Sequence, residues 1–211
     1  KCIPMEVTSG LNSVAVRSPS HPLLRQIITR TKIPIAAPSA NLANKISPTN
    51  HQDVIDAFGD KCPPILDGGE CDFGIESTVL DLTTTIPQIL RFGPVTKKDI
   101  ENVLGFNVKS ANEKTSVEKN LLPGTKSPGL GSKHYAPDTP LNLYSSIEKM
   151  FSSETIETGD VLILPCPKIS YHSLSPKTIN LYLSESGETK DIAKNLYKIL
   201  RQADKLLVNK I

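Results

Sequence analysis

Short apolar runs alternate with capped, amphipathic stretches along almost the whole of this chain, and that alternation points to a layered α/β architecture. Ser13-Val14-Ala15-Val16-Arg17 reads as a short strand ending on a charge, and Lys1 to Gly10 reads as part of a strand region. Ser20 is placed to cap a helix with Pro22 in its first turn and Leu23, Leu24, Ile27 and Ile28 on one face. Pro34 to Ala37 predicts a second strand, which runs into a polar loop from Pro38 to Asn50. A helix from about Thr49 would turn Val54, Ile55 and Phe58 inward and stop at Gly59. The string PPILDGG, then Thr78 to Leu82 and Ile89 to Phe92, predicts three more strands. Thr96 caps a further helix carrying Ile100, Val103 and Leu104, which Gly105 ends.

The periodicity dissolves from Lys109 to Pro137 and returns after it. Leu141 to Tyr144, Asp160 to Leu164 and Ile179 to Leu183 read as strands, and the closing KLLVNKI as the start of another. Thr189 to Asp204 reads as a helix with Ile192, Ala193, Leu196, Ile199, Leu200 and Ala203 on one stripe. The domain reading is therefore residues 1–108, a linker over 109–137, and residues 138–211.

Composition removes several classes. The 24 Lys and Arg against 22 Asp and Glu leave a net charge of +2, too even for a protein that coats polyanions. No apolar run approaches the ~18–20 residues of a membrane span. Cys2, Cys62, Cys71 and Cys166 form no CxxC pair and no His stands at zinc-finger spacing, so zinc and dithiol chemistry are set aside. Scattered thiols fit a reducing compartment, which gives a cytoplasmic expectation. No GxSxG elbow, GxxxxGK[ST] loop or GxGxxG turn occurs. Asp53 and Asp56 read as a solvated helix face.

What remains is a series of polar loop strings beside the expected strands: APSAN, SPTN, GIESTV, RFGP, SPG and HYAP. Strand ends are where open α/β sheets bind ligands, and hydroxyls with backbone N–H groups there can cradle phosphate. Arg17 and Arg91 add cations suited to carboxylate or phosphate. Taken singly, Ser39, Ser47 and Thr49 read as caps; the argument lies in their joint order.

That order resembles the threonylcarbamoyl-AMP synthases with a YrdC-like domain, in the longer version with an added C-terminal domain. VTSGLNSVAVRSPSHP, IPIAAPSANLANKISPT, ILDGG, GIESTVLDL, ILRFGPVT and SPGLGSKHYAP carry the likeness, and KNLYKILRQAD resembles the helix of the added domain. The resemblance implies a partial YrdC-like twisted open sheet, a linker, and part of a small Rossmann-like α/β domain. It implies synthesis of threonylcarbamoyl-AMP and pyrophosphate from L-threonine, bicarbonate and ATP with Mg²⁺, for threonylcarbamoyladenosine modification of tRNA. It assigns Ser13, Ser39, Ser47, Arg91 and Tyr135 to ATP, and Arg17, Ala37 and Ser77 to threonine, with Asn41 as a further candidate in the same loop. No residue is assigned as a covalent nucleophile. The family's upstream third, with its basic phosphate-gripping segment and a threonine-binding His, has no counterpart among these residues, so a separate chain supplying it is one expectation. A fragment inactive alone, serving as a nucleotide- or RNA-binding module, is the alternative. Gly131-Ser132 also stands where many members carry a basic or aromatic residue.

Overall fold

The computed structural model describes residues 3–8, 10–110, 135–152, 156–167 and 178–211. Most of the linker expectation, including Ser127 to His134, lies outside the described residues, as do Lys1 and Cys2. The chain divides into two compact units. The first takes its described residues from Lys1–Ser39, Leu66–Gly68 and Glu76–Gly131; the second takes them from Ala40–Ile65, Gly69–Ile75 and Ser132–Ile211.

In the first unit a four-residue helix α1 (Met5–Thr8) replaces the strand expected near the start. Helix α2 (Pro22–Thr31) has Pro22 in its first turn as expected, but its N-cap is His21, not Ser20. His21 makes no side-chain cap; its Nε2 instead donates to the Gly68 carbonyl at 3.0 Å. Strand β1 (Val79–Asp81) pairs antiparallel with β2 (Gln88–Arg91), which pairs in parallel with β3 (Lys109–Ser110). Ile89 is wholly buried on the central strand of this three-stranded sheet, and Val108, just before β3, is buried as well.

Helix α4 (Lys97–Leu104) follows its local code. Thr96 and Asp99 form a reciprocal capping box, and Gly105 ends the helix at φ 77°, a left-handed backbone that glycine adopts without Cβ strain. The Thr96 hydroxyl and amide donate to Asp99 at 2.6 and 2.9 Å. Those bonds hold the Asp99 carboxyl below its ordinary value of 3.8, the hydroxyl contributing most. A depressed carboxylate pKa stabilises the fold above the unfolded pKa and loses that effect as pH falls through the folded one. Asp99→Asn is therefore expected to lower the melting temperature at neutral pH. The gap should close in acid below 3.8. Melts that keep the same gap at both pH values would contradict this.

Three expected strands are not strands. Ser13–Arg17, Pro34–Ala37 and the PPILDGG segment have no ladder partner among the described residues. Their side chains stay in the open: Val16 is 84% and Leu66 65% exposed. Apolar alternation makes a segment suitable for a sheet, but only backbone pairing makes it a strand.

The second unit is built on two parallel strands, β4 (Val161–Leu164) and β5 (Ile179–Tyr182). The run VLIL buries both faces, as a covered parallel strand must. Leu162 and Leu164 pack on Met150 of helix α5 (Ile147–Phe151), while Val161 packs on Ala203 of helix α6 (Thr189–Lys205) and on Ile211. The period of two thus sends alternate residues to opposite helices. Leu141–Tyr144 and the closing residues do not reach strand status. They pair through Asn142 N–H to the Ile211 carbonyl and Ile211 N–H to the Pro140 carbonyl, both 2.9 Å.

Helix α3 (His51–Phe58) belongs to this second unit. Its N-cap is Asn50, whose side chain accepts from the Asp53 amide, and Gly59 ends it as expected. The expected inward face of Val54, Ile55 and Phe58 is not the buried one: Ile55 is 39% exposed and the one buried residue of the helix is Asp53. Among the described residues no helix is long and apolar enough to cross a membrane.

Candidate functional site

The expected site residues fall into both units. In the first, Ser13, Arg17, Ala37 and Ser39 are exposed on irregular backbone. Ser77 and Arg91 are brought together. Arg91 ends β2, and the β1–β2 pairing sets Val79 opposite it, so the GIEST string reaches its side chain. The guanidinium Nε donates to the Ser77 carbonyl at 3.0 Å, and Nη2 donates to the Ser77 hydroxyl at 3.2 Å. Glu76 faces the same guanidinium at 3.7 Å. The Arg91 side chain is 15% exposed, so the group is a fixed, largely desolvated fork. The Thr78 hydroxyl donates to the carbonyl of Val95, the residue just after RFGP, at 2.7 Å, which ties the GIEST string to that segment a second time.

In the second unit Asn41, Ser47 and Tyr135 gather on one loop and its neighbour. Asn41 Nδ2 donates to the carbonyls of Leu42 and Lys45 at 2.9 and 3.1 Å, closing the loop on itself. Its Oδ1 is buried and lacks a hydrogen-bond partner among the described residues. The Ala136 amide donates to the Asn44 carbonyl, and Lys45 pairs with Asp138, so the end of the HYAP string lies along this loop. Tyr135 holds φ 53°. A left-handed tyrosine costs roughly 1–3 kcal/mol and persists where its surroundings impose it, most often at functional positions. Its ring stacks on Tyr197 of α6 at a centroid distance of 6.1 Å.

The solvated reading of Asp53 and Asp56 holds for one of them. Asp56 is a surface partner of Lys205 at 2.8 Å. Asp53 is buried: its Oδ2 accepts from the amide and hydroxyl of Thr49 at 2.8 and 2.9 Å, and its Oδ1 lies 3.1 Å from Arg201 Nε. Thr49 is likewise no cap of α3 but a donor to Asp53. Burial of an acid requires paired charge and hydrogen bonds, and here both are present. Cys71 is exposed, yet partial desolvation pushes its thiol above its ordinary value, with the neighbouring Asp72, Asp53 and Glu70 adding to the effect.

Glu76, Asp53, Tyr197 and Arg201 were not among the expected site residues. Glu76 was within reach, since it sits inside the GIEST string. Tyr197 and Arg201 carry no local signal, because their partners lie far away in sequence.

Comparison with known proteins places these features in context. Residues 1–93 match the family described as Telomere recombination, and residues 95–211 match that described as Threonylcarbamoyl-AMP synthase, C-terminal domain. A threonylcarbamoyl-AMP synthase of Pyrococcus abyssi is 34% identical over 99% of this chain and 60% of its own length. That of Bacillus subtilis is 43% identical over 64% of this chain and 38% of its own. That of Schizosaccharomyces pombe is 32% identical over 94% of this chain and 52% of its own. The chain thus spans between 38% and 60% of the length of these relatives. The crystal structure of P. abyssi Sua5 complexed with L-threonine superposes with a TM-score of 0.76 at 33% identity, covering 99% of this chain and 60% of that one.

Proposed function

This chain belongs to the threonylcarbamoyl-AMP synthase family, and from that premise we propose that it acts in forming threonylcarbamoyl-AMP and pyrophosphate from L-threonine, bicarbonate and ATP. The observation that carries the reading is the likeness over 99% of the chain, in sequence to the P. abyssi threonylcarbamoyl-AMP synthase and in fold to P. abyssi Sua5 seen with L-threonine.

The chemistry suits residues that position and neutralise without bonding covalently. The threonine amine attacks the carbon of bicarbonate and water departs, leaving a carbamate. A carbamate oxygen then attacks the α-phosphorus of ATP, and pyrophosphate leaves with the bond electrons. This makes the reaction a nucleotidyl transfer. Both steps gain chiefly from orientation and from cations facing developing negative charge. In the first unit, Arg91 is assigned to phosphate, with Ser13 and Ser39. Arg17 is assigned to the threonine carboxylate, with Ser77 and the Ala37 backbone. Mg²⁺ belongs to the reaction as part of MgATP. The product would then serve modification of tRNA.

The test is pyrophosphate release from ATP, measured with threonine and bicarbonate each supplied and withheld. Release that needs both is expected. Release indifferent to threonine, or ATP binding with no release, would overturn the reading, and the latter would favour a nucleotide-binding module. Arg17 offers a finer check. Removing a charge-assisted pair from an exposed side chain falls at the low end of the range, ~1.5 kcal/mol. Arg17→Ala should therefore raise the KM for threonine about tenfold and leave that for ATP nearly unchanged. Equal loss for both substrates would reject the assignment.

A further inference from the structure

One face of α6 supplies ties both to the loop that carries Ser47 and to the segment that carries Tyr135. Tyr197, Arg201 and Asp204 stand at successive turns of that helix. Tyr197 stacks on Tyr135. Arg201 Nη2 donates to the Ser47 carbonyl at 2.7 Å, with the Ile46 carbonyl at 3.4 Å. Asp204 accepts from the amides of Asp138 and Thr139, both at 2.9 Å. Below them, Ile46, Tyr197 and Leu200 share one buried cluster, with Tyr135 packed against it.

Arg201 is the centre of this set. Its guanidinium faces two ways, toward the Ser47 carbonyl and toward the buried Asp53 carboxylate. The Nε lies 3.1 Å from Asp53 Oδ1, near enough for ion pairing but without the alignment of a hydrogen bond. Asp53 in turn takes both donors of Thr49. The stretch Ser47 to Asn50 is thereby fastened at each end: by Arg201 at Ser47, and by Asp53 at Thr49 and Asn50. A stability contact alone would not need the fork aimed at the backbone of that loop, nor a tyrosine held at φ 53° beside it.

We propose that α6 is the positioning element of the nucleotide contacts in this unit, with Arg201 as the positioning residue that sets Ser47 and Tyr197 as the one that seats Tyr135. The inference rests on the reading that Ser47 and Tyr135 contact ATP. Arg201 itself touches no reacting atom; it acts through the Ser47 backbone. Displacing such a loop by about an ångström can cost up to ~100-fold where geometry governs the reaction.

The test measures ATP and threonine affinity by calorimetry, with melting temperatures, on the purified protein and its Arg201→Lys, Arg201→Met and Lys205→Ala variants. Lysine keeps a charge beside Asp53 but cannot fork to the Ser47 carbonyl as well. It therefore remains informative if the methionine variant fails to fold. Lys205 pairs with the exposed Asp56 and reports on loosening α6 against α3 without touching the Ser47 loop. Weakening of ATP binding by about 10- to 100-fold in Arg201→Lys, with threonine affinity unchanged and Lys205→Ala behaving as wild type, is the expected result. ATP affinity within twofold of wild type in a folded Arg201→Lys would overturn the inference alone. So would proportionate loss of both ligands, or a Lys205→Ala variant as impaired as the Arg201 variants. Wild-type protein that binds no ATP would overturn the functional reading itself, before any variant is compared.

Discussion

Gly93→Ala should dismantle the Ser77–Arg91 arrangement. A Cβ built at Gly93 would lie 2.4 Å from the Thr78 nitrogen, 2.5 Å from the Glu76 oxygen and 2.6 Å from the Ser77 carbonyl carbon. All three are backbone atoms, so no side chain can swing aside to make room. The displaced segment is the one that Arg91 grips through the Ser77 carbonyl and hydroxyl. Overpacking typically costs ~1–3 kcal/mol, occasionally more, and three backbone clashes put this substitution at the upper end. The midpoint of urea unfolding should fall accordingly, and threonine-dependent pyrophosphate release should fall further than stability alone explains. An alanine variant with wild-type midpoint and wild-type activity would show that Gly93 does not press on the Glu76–Thr78 backbone.

The second large effect is expected at Arg91. Its Nε and Nη2 engage one residue through two different acceptors, a geometry that a planar fork meets and a single ammonium does not. If this guanidinium faces phosphate as proposed, its removal costs ~1.5–3 kcal/mol per charge-assisted contact, or roughly 10- to 150-fold in ATP affinity. Arg91→Ala is expected to show a loss in that range, and Arg91→Lys to recover little of it. Ser77→Ala should separate the two roles by weakening threonine more than ATP. A folded Arg91→Ala protein with unchanged ATP affinity would remove Arg91 from the nucleotide. Restored affinity in Arg91→Lys would mean that charge alone, and not the fork, matters there.

The residues that could be read from sequence share one property: their partners are near in the chain. Thr96 and Gly105 write the start and stop of α4 within ten positions, and the structure keeps both. The β4 run and the stripe of α6 are legible for the same reason, since period two and period 3.6 are properties of consecutive residues. Ser77 and Arg91 could be named, but not their mutual bonds. The strand expectations at Ser13–Arg17 and Pro34–Ala37 failed because apolar pattern says nothing about which backbone supplies the other half of a ladder.

Asp53 marks the boundary most sharply. By itself it is an acid near the start of a short helix, and its neighbours make a surface position the natural reading. Its burial depends on Arg201, which comes from the other end of the chain. The same holds for Tyr135, whose ring stacks on Tyr197 from a distant part of the chain. Sequence alone determined the cap and stop of α4, the periods of β4 and α6, the α/β class and the family likeness, because hydrogen bonds within a few residues and the ordered loop strings are all written in consecutive positions. Only the tertiary structure decided which strands pair, which acid is buried and which helix holds the Ser47 loop. Those contacts join groups whose separation along the chain bears no relation to their distance in space, and their energy exists only once both ends have been brought together.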